Sequence, residues 1–277
     1  MTAPLVSSVE NVGVGVHDVL SARLASDIGL DFVWLSSFSF SAANGCPDAG
    51  LLEPRDVARL ACDIAAVSDI TQVVDMDAGY GDLLKVYHAS RLISLAGASA
   101  LCIEDNPTSK RSSLYAQRKR KLASTAEHVE RISAVREGCG RSTIVIARTE
   151  ALVAGEGVDS GLRRASAYVD AGADAVFVQA TKADGGKELS AFCTSWGRAT
   201  PLFLAPTRYP NVTKQEFFSW GASHVIFANH GLRSAHAAIC KAYRAIRYED
   251  DLGPLENDIS SVDAVRSSVC AGFSEYI

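Results

Sequence analysis

The run Val73-Val74-Asp75-Met76-Asp77-Ala78-Gly79-Tyr80-Gly81-Asp82 joins the fold and the chemistry in one stretch. β-Branched residues carry a strand to two carboxylates one residue apart, and a glycine-rich turn follows at once. Side chains alternate along a strand, so Asp75 and Asp77 are expected on one face of its C-terminal end. Two carboxylates crowded there repel unless a cation or a proton lies between them. Hard oxygen donors with no neighbouring Cys or His favour Mg²⁺ over zinc. The plain alternative is a pair of solvated loop aspartates, and the rest of the chain decides between the two.

Outward from this run, short apolar stretches recur with alanine-rich, helix-length segments between them. They predict strands at 12–16, 32–34, 71–75, 100–103, 143–147, 175–179, 201–204 and 224–227. Buried strands alternating with helices imply a parallel sheet covered by helices. The segments Ala96-Gly97-Ala98, Ala171-Gly172-Ala173-Asp174 and Trp220-Gly221-Ala222 each precede a strand. They fit the turn in which glycine ends a helix in the left-handed region. Eight such units predict an α/β fold of the (β/α)₈ TIM-barrel type. A doubly wound open sheet is the competitor, but the chain lacks its G-x-G-x-x-G fingerprint.

The 277 residues are read as a single barrel domain over 1–277, with 251–277 as a C-terminal helical extension. No linker-like break divides them. Apolar residues make up 48% and charged residues 21%, as in an ordinary globule, and a net charge of −5 argues against a nucleic-acid-binding surface over the whole protein. Seven widely spaced cysteines without C-x-x-C suggest reduced, buried thiols. With no signal-like N-terminus and no apolar run of about 20 residues, a soluble cytoplasmic protein without membrane partners is expected.

In a barrel of this type the catalytic groups sit at the C-terminal strand ends and in the loops after them. Those positions here are polar almost throughout: His17 and Asp18, then Trp34-Leu35-Ser36-Ser37, Asp75 and Asp77, Glu104 and Asp105. The second half adds Arg148 and Glu150, Gln179, Pro206-Thr207-Arg208, and Asn229-His230. Asp75, Asp77 and Glu104 converge from adjacent strands as the expected metal-holding set for a water-rich Mg²⁺, which acts as a Lewis acid on an oxygen-rich substrate. Arg148 offers a fork for a carboxylate, phosphonate or phosphate, although a salt bridge to Glu150 or Glu104 would also account for it. The Ser36-Ser37-Phe38-Ser39 stretch offers hydroxyl and N–H groups to an oxyanion, or is simple turn chemistry.

A cationic segment with Lys110, Arg111, Arg118, Lys119, Arg120 and Lys121 follows the fourth strand and is long for a βα loop. It suggests a lid that brings Lys110, Arg111 and Ser112 over an anion, while the later basic run reads as a solvated face. His88, His128 and His236 fall in predicted helices as surface or packing residues. His17 and His230, at strand ends, are candidates to line the pocket.

Several motifs occur in order: Gly15-Val16-His17-Asp18-Val19-Leu20-Ser21-Ala22-Arg23, the Trp34-x-Ser36 turn and the Asp75-x-Asp77-x-Gly79-Tyr80-Gly81 run. Glu104-Asp105, Ala147-Arg148-Thr149-Glu150-Ala151 and Phe227-Ala228-Asn229-His230-Gly231-Leu232-Arg233 complete the set. Together they resemble the phosphoenolpyruvate mutase and isocitrate lyase superfamily over about residues 12–246. The C-terminal half is most similar to the branch holding phosphoenolpyruvate mutase and phosphonopyruvate hydrolase. The resemblance implies Mg²⁺ held mainly by Asp75, with Asp77 and Glu104 acting largely through water and Asp48 in support. It implies a 2-oxo acid substrate gripped by the serine turn and Arg148, with Trp34, Phe38, Ser113, Gln179 and Asn229 around it. It also implies a homo-oligomer, dimer or tetramer, whose C-terminal helices exchange between subunits.

The chain departs from that pattern at its lid. Mutases carry Glu-Asp-Lys and then Lys-x-Asn-Ser, where this chain has Glu104-Asp105-Asn106 and Lys110-Arg111-Ser112-Ser113. The hydrolase carries threonine where Ser112 stands, and the C–C lyases of the superfamily carry a cysteine acid. The C–P enzymes have histidine where Gln179 closes the sixth strand. The expectation is therefore C–P bond chemistry on phosphonopyruvate, mutase first, with hydrolysis and C–C cleavage as alternatives and an idle barrel as the reading from another class.

Overall fold

The computed structural model describes residues 3–6, 9–108 and 121–270. Eight parallel strands close into a barrel in sequence order. They are β1 (Asn11–Val16), β2 (Phe32–Leu35), β3 (Thr71–Asp75), β4 (Ala100–Glu104), β5 (Ile144–Thr149), β6 (Ala175–Val178), β7 (Leu202–Leu204) and β8 (His224–Phe227). Every strand predicted from the sequence is present, and the closure of β8 on β1 excludes the open sheet. The helices are α1 (Val19–Asp27), α2 (Ser37–Ala43), α3 (Pro54–Ala65), α4 (Leu83–Leu95), α5 (Thr125–Cys139) and α6 (Ala151–Ala154). They continue with α7 (Val158–Asp170), α8 (Lys187–Ser195), α9 (Lys214–Ser219), α10 (His230–Tyr248), α11 (Gly253–Glu256) and α12 (Val262–Cys270).

Period-two alternation sorts the apolar residues into two layers. Phe32 and Trp34 join Val73, Ile146, Phe177 and Phe203 inside the barrel. Val33 and Leu35 instead face the helices, in the same cluster as Ile64, Val86 and Ile132. The interior is thus a packed core that supports the rim.

The turns behave as their glycines predict. Gly97, Gly172 and Gly221 have φ of +107°, +101° and +107°. Beyond Gly172, the Ala173 N–H reaches back to the Tyr168 carbonyl, closing the C-terminus of α7 before β6 begins. At Gly15 the reason is different. An added Cβ would lie 1.8 Å from the Ala228 carbonyl oxygen, so only glycine lets the end of β8 approach β1 this closely.

Not every sequence expectation survives. All seven cysteines are free, as expected, but only Cys102, Cys139 and Cys193 are buried. In the C-terminal extension, Ile259, Val262, Val265 and Val269 form an apolar stripe that stays exposed, and α12, which touches α1, buries none of its residues. Phe273 lies outside the described residues. Among the described residues no helix is long and apolar enough to cross a membrane.

Candidate active site

The carboxyl ends of the strands frame a cleft of about 540 Å³, counted to its open mouth. It is lined by Trp34, Ser36, Ser37, Phe38, Asp48, Asp75, Asp77, Glu104, Arg148, Gln179 and Asn229. The described residues named for the metal and for the substrate are therefore brought together. Lys110, Ser112 and Ser113, with Arg111, lie outside the described residues.

Other strand-end residues do not reach the cleft. The side chain of Asp18 accepts the Ser21 N–H at 2.7 Å and caps α1, and neither Asp18 nor His17 lines the cleft. His230 does not line it either, and Arg208 and Pro206 leave Thr207 as the contribution of their loop. His88, His128 and His236 lie on α4, α5 and α10, as expected. Asp105 points away from the cleft, fully buried, and Glu150 is buried behind Arg148.

The two aspartates of the opening run share the cleft by a route that alternation does not give. β3 ends at Asp75, and Asp77 lies in the turn with φ +50°. The Asp77 N–H donates back to Asp75 Oδ1 at 3.1 Å. The Ser37 hydroxyl donates to the other oxygen, Oδ2, at 3.1 Å. The Ser36–Ser39 stretch is the start of α2, where the Ser36 hydroxyl accepts the Ser39 N–H at 3.2 Å as an N-cap.

Arg148 is the electrostatic centre. It pairs across the β4–β5 ladder with Glu104, and its Nε lies 2.7 Å from Glu150 Oε1 and 3.4 Å from Glu104 Oε2. Its Nη1 is 3.9 Å from Asp75 Oδ2, and its guanidinium carbon lies 4.9 Å from the centroid of the Phe177 ring. Burial alone would favour a neutral arginine, but Glu150, Glu104 and Asp75 outweigh it and hold the group charged. One guanidinium cannot satisfy so many carboxylates. Burial pushes Glu104 up to about 8; Arg148 pulls it back, and Glu150, Asp77 and Asp75 add to the rise.

The donor set fits a hard, hydrated cation. All the candidate ligands are oxygens, the Asp75 carboxylate is oriented by Ser37 and Asp77, and Glu104 Oε1 is held by Asn106 Nδ2 at 2.8 Å. Among the described residues no three His, Cys, Asp or Glu side chains stand close enough to enclose an ion by themselves.

Phe177, Ala205 and Ala228 also line the cleft and were not selected from the sequence. Phe177 was within reach: it stands two residues before Gln179, on the same strand face, so the alternation that places one places the other.

A family model described as phosphoenolpyruvate phosphomutase matches residues 10–247. The chain belongs to this family. Phosphonopyruvate hydrolase of Variovorax sp. (strain Pal2) is 32% identical over 254 residues, which are 91% of this chain and 87% of that protein. The crystal structure of phosphoenolpyruvate phosphomutase from Streptomyces platensis subsp. rosaceus superposes with a TM-score of 0.91 at 34% identity, covering 96% of this chain and 92% of that one. A crystal structure of phosphonopyruvate hydrolase in complex with oxalate and Mg²⁺ gives a TM-score of 0.90 at 30% identity, covering 99% and 95%. As a member of the phosphoenolpyruvate phosphomutase family the chain is an enzyme of the wider mutase and isocitrate lyase superfamily, which holds mutases, hydrolases and lyases.

Proposed function

We propose that the protein is a Mg²⁺-dependent enzyme acting on the C–P bond of phosphonopyruvate, with interconversion of phosphonopyruvate and phosphoenolpyruvate as its first reading. The observation that carries it is the meeting of Asp48, Asp75, Asp77 and Glu104 with Arg148 in one cleft at the barrel rim. An acidic half suits a cation and a guanidinium suits an oxyanion, which is what a 2-oxo acid bearing an anionic group requires.

Asp75, supported by Asp77, Glu104 and Asp48, would hold the ion. When bound, Mg²⁺ supplies Lewis-acid polarisation of the 2-oxo acid. Arg148 orients the anionic substrate and offsets charge that builds as the bond breaks. Trp34 and Phe177, edge to face at 5.5 Å between centroids, form an apolar wall of the cleft against which the substrate would rest. Ser36, Ser37, Phe38, Gln179 and Asn229 complete the substrate pocket, and Lys110, Ser112 and Ser113 are assigned to a lid over it on the sequence alone.

Hydrolysis is the second reading, favoured by the hydroxyl of Ser112 where mutases carry an amide and by the likeness to phosphonopyruvate hydrolase. In a mutase the phosphonyl group returns to the enolate oxygen; in a hydrolase water takes it. ³¹P NMR of the enzyme with phosphonopyruvate and Mg²⁺ separates them. Phosphoenolpyruvate marks the mutase, inorganic phosphate the hydrolase, and an unchanged signal removes both.

A further inference from the structure

The guanidinium at the centre of the cleft is held from behind by a buried chain of contacts. Glu150 holds Arg148 through its Oε1. Glu150 follows the last residue of β5 at the N-terminus of α6 and makes no side-chain cap bond there. What fixes its peptide is Asp105, from the neighbouring strand end. Asp105 Oδ1 accepts the Glu150 N–H at 2.8 Å, and Oδ2 accepts the Thr149 hydroxyl at 2.9 Å. Two successive residues are thus tied to the two oxygens of one carboxylate, which sets the rotation of the strand end as well as its position.

Asp105 is itself clamped. The Tyr168 hydroxyl on α7 donates to Oδ2 at 2.8 Å, and Arg164 Nη1 lies 3.6 Å from the same oxygen. The Asp105 backbone adds a bond from its own N–H to the Arg148 carbonyl at 3.2 Å. A carboxylate with 0% exposure is costly to keep unless it is well bonded, and here two of its bonds, from Thr149 and Glu150, lead to the end of the strand that carries Arg148.

We propose that Asp105 is a positioning residue that sets the Arg148 guanidinium through Thr149 and Glu150, and that Tyr168 and Arg164 lock it in place. The inference deepens the reading of Arg148 as the anion-binding group and rests on it. Asp105 touches no substrate. Its effect is transmitted as a displacement of Glu150 and hence of the guanidinium.

The test reads Arg148 directly. In protein labelled with ¹⁵N-arginine, the Arg148 Nε–H signal is assigned by its loss in Arg148→Lys and followed without substrate. In Asp105→Ala it should move into the envelope of exposed arginines, and kcat/KM should fall about 100-fold. Asp105→Asn keeps an oxygen for the Glu150 N–H if the Thr149 and Tyr168 hydroxyls reverse, so it should restore the signal and most of the rate. Tyr168→Phe, which loses one hydroxyl and no packing, should give a smaller shift and about a 10-fold loss, and it stands in if Asp105→Ala does not fold. An unmoved Arg148 signal in folded Asp105→Ala, or in Tyr168→Phe where that substitutes, overturns the proposal. A moved signal in an enzyme that leaves phosphonopyruvate untouched removes the substrate reading and keeps the relay.

Discussion

Asn106 lays its carboxamide against Glu104, Nδ2 to Oε1 at 2.8 Å, with both side chains buried. The Asn106 backbone carbonyl accepts in turn from Arg131 Nη1 at 2.7 Å, which anchors the main chain that carries the amide. A neutral donor thus orients Glu104 at the position where the mutase pattern has a lysine. Asn106→Ala should free that carboxylate and weaken Mg²⁺ binding about 10-fold, read as Kd by calorimetry. Unchanged affinity would mean that Glu104 does not help to hold the ion.

Asp75→Ala removes an acceptor from Ser37 and Asp77 but no core packing. Turnover should vanish while the barrel stays folded, because relief of crowding with Glu104 and Asp77 offsets the two lost bonds. Mg²⁺ should stabilise the wild type by about 2.7 kcal/mol at a hundredfold excess over Kd, and that rise in Tm should be absent in the variant. Equal shifts in both proteins would place the ion elsewhere.

His128 on α5 predicts a pH effect. Burial pushes its imidazole down to about 3, helped by the Arg131 and Arg164 charges, and its ring stands edge-on to Tyr168. The unfolded chain takes up a proton near pH 6.5 that the native state refuses. Its contribution is therefore fully present above 6.5 and declines as pH falls towards 3. Glu104 and Asp105, whose carboxyls are raised, act in the opposite direction, so the comparison must be with His128→Phe. Between pH 7 and 5 the stability difference should shift by about 2 kcal/mol in favour of the variant, measured by denaturant unfolding.

The barrel was legible because its signals are local and repeated. Apolar runs of strand length recur eight times, polar residues follow them, and glycine precedes several of them, so one weak reading corrects another. The site was legible as a list, because the rim of a barrel collects whatever ends each strand. The roles were less so. Asp105 and Glu104 are adjacent in sequence and face opposite ways, and nothing in Glu-Asp says which one enters the cleft. Asp77 reaches the site through a left-handed turn, where alternation no longer applies.

The lid sequence gives a prediction that needs no coordinates. Ser112→Asn restores the amide of the mutase pattern, and should raise the share of phosphoenolpyruvate over phosphate in a hydrolase, or kcat in a mutase. Lys110→Ala should damage either reaction, since its charge matters most as the anion forms. If neither variant changes product ratio or rate in ³¹P NMR, the segment takes no part in the chemistry.

Assembly is testable on the C-terminal helices. Tyr243, Ile246 and Tyr248 of α10 are exposed, as are Val262 and Val265 of α12. Such a surface is expected to be buried between subunits by helix exchange. Light scattering should give a dimer or tetramer, and Val262→Asp with Val265→Asp should lower the mass. A monomeric wild type would refute exchange.

Four carboxylates and one guanidinium face the same small volume. Even with Glu104 carrying its proton, three negative groups oppose one positive. On the proposed function, an incoming anion should be repelled until a cation has entered. Plots of initial rate should show metal adding first, and product should leave faster than the ion. On that function the free divalent concentration should act as a gate on the substrate's association rate.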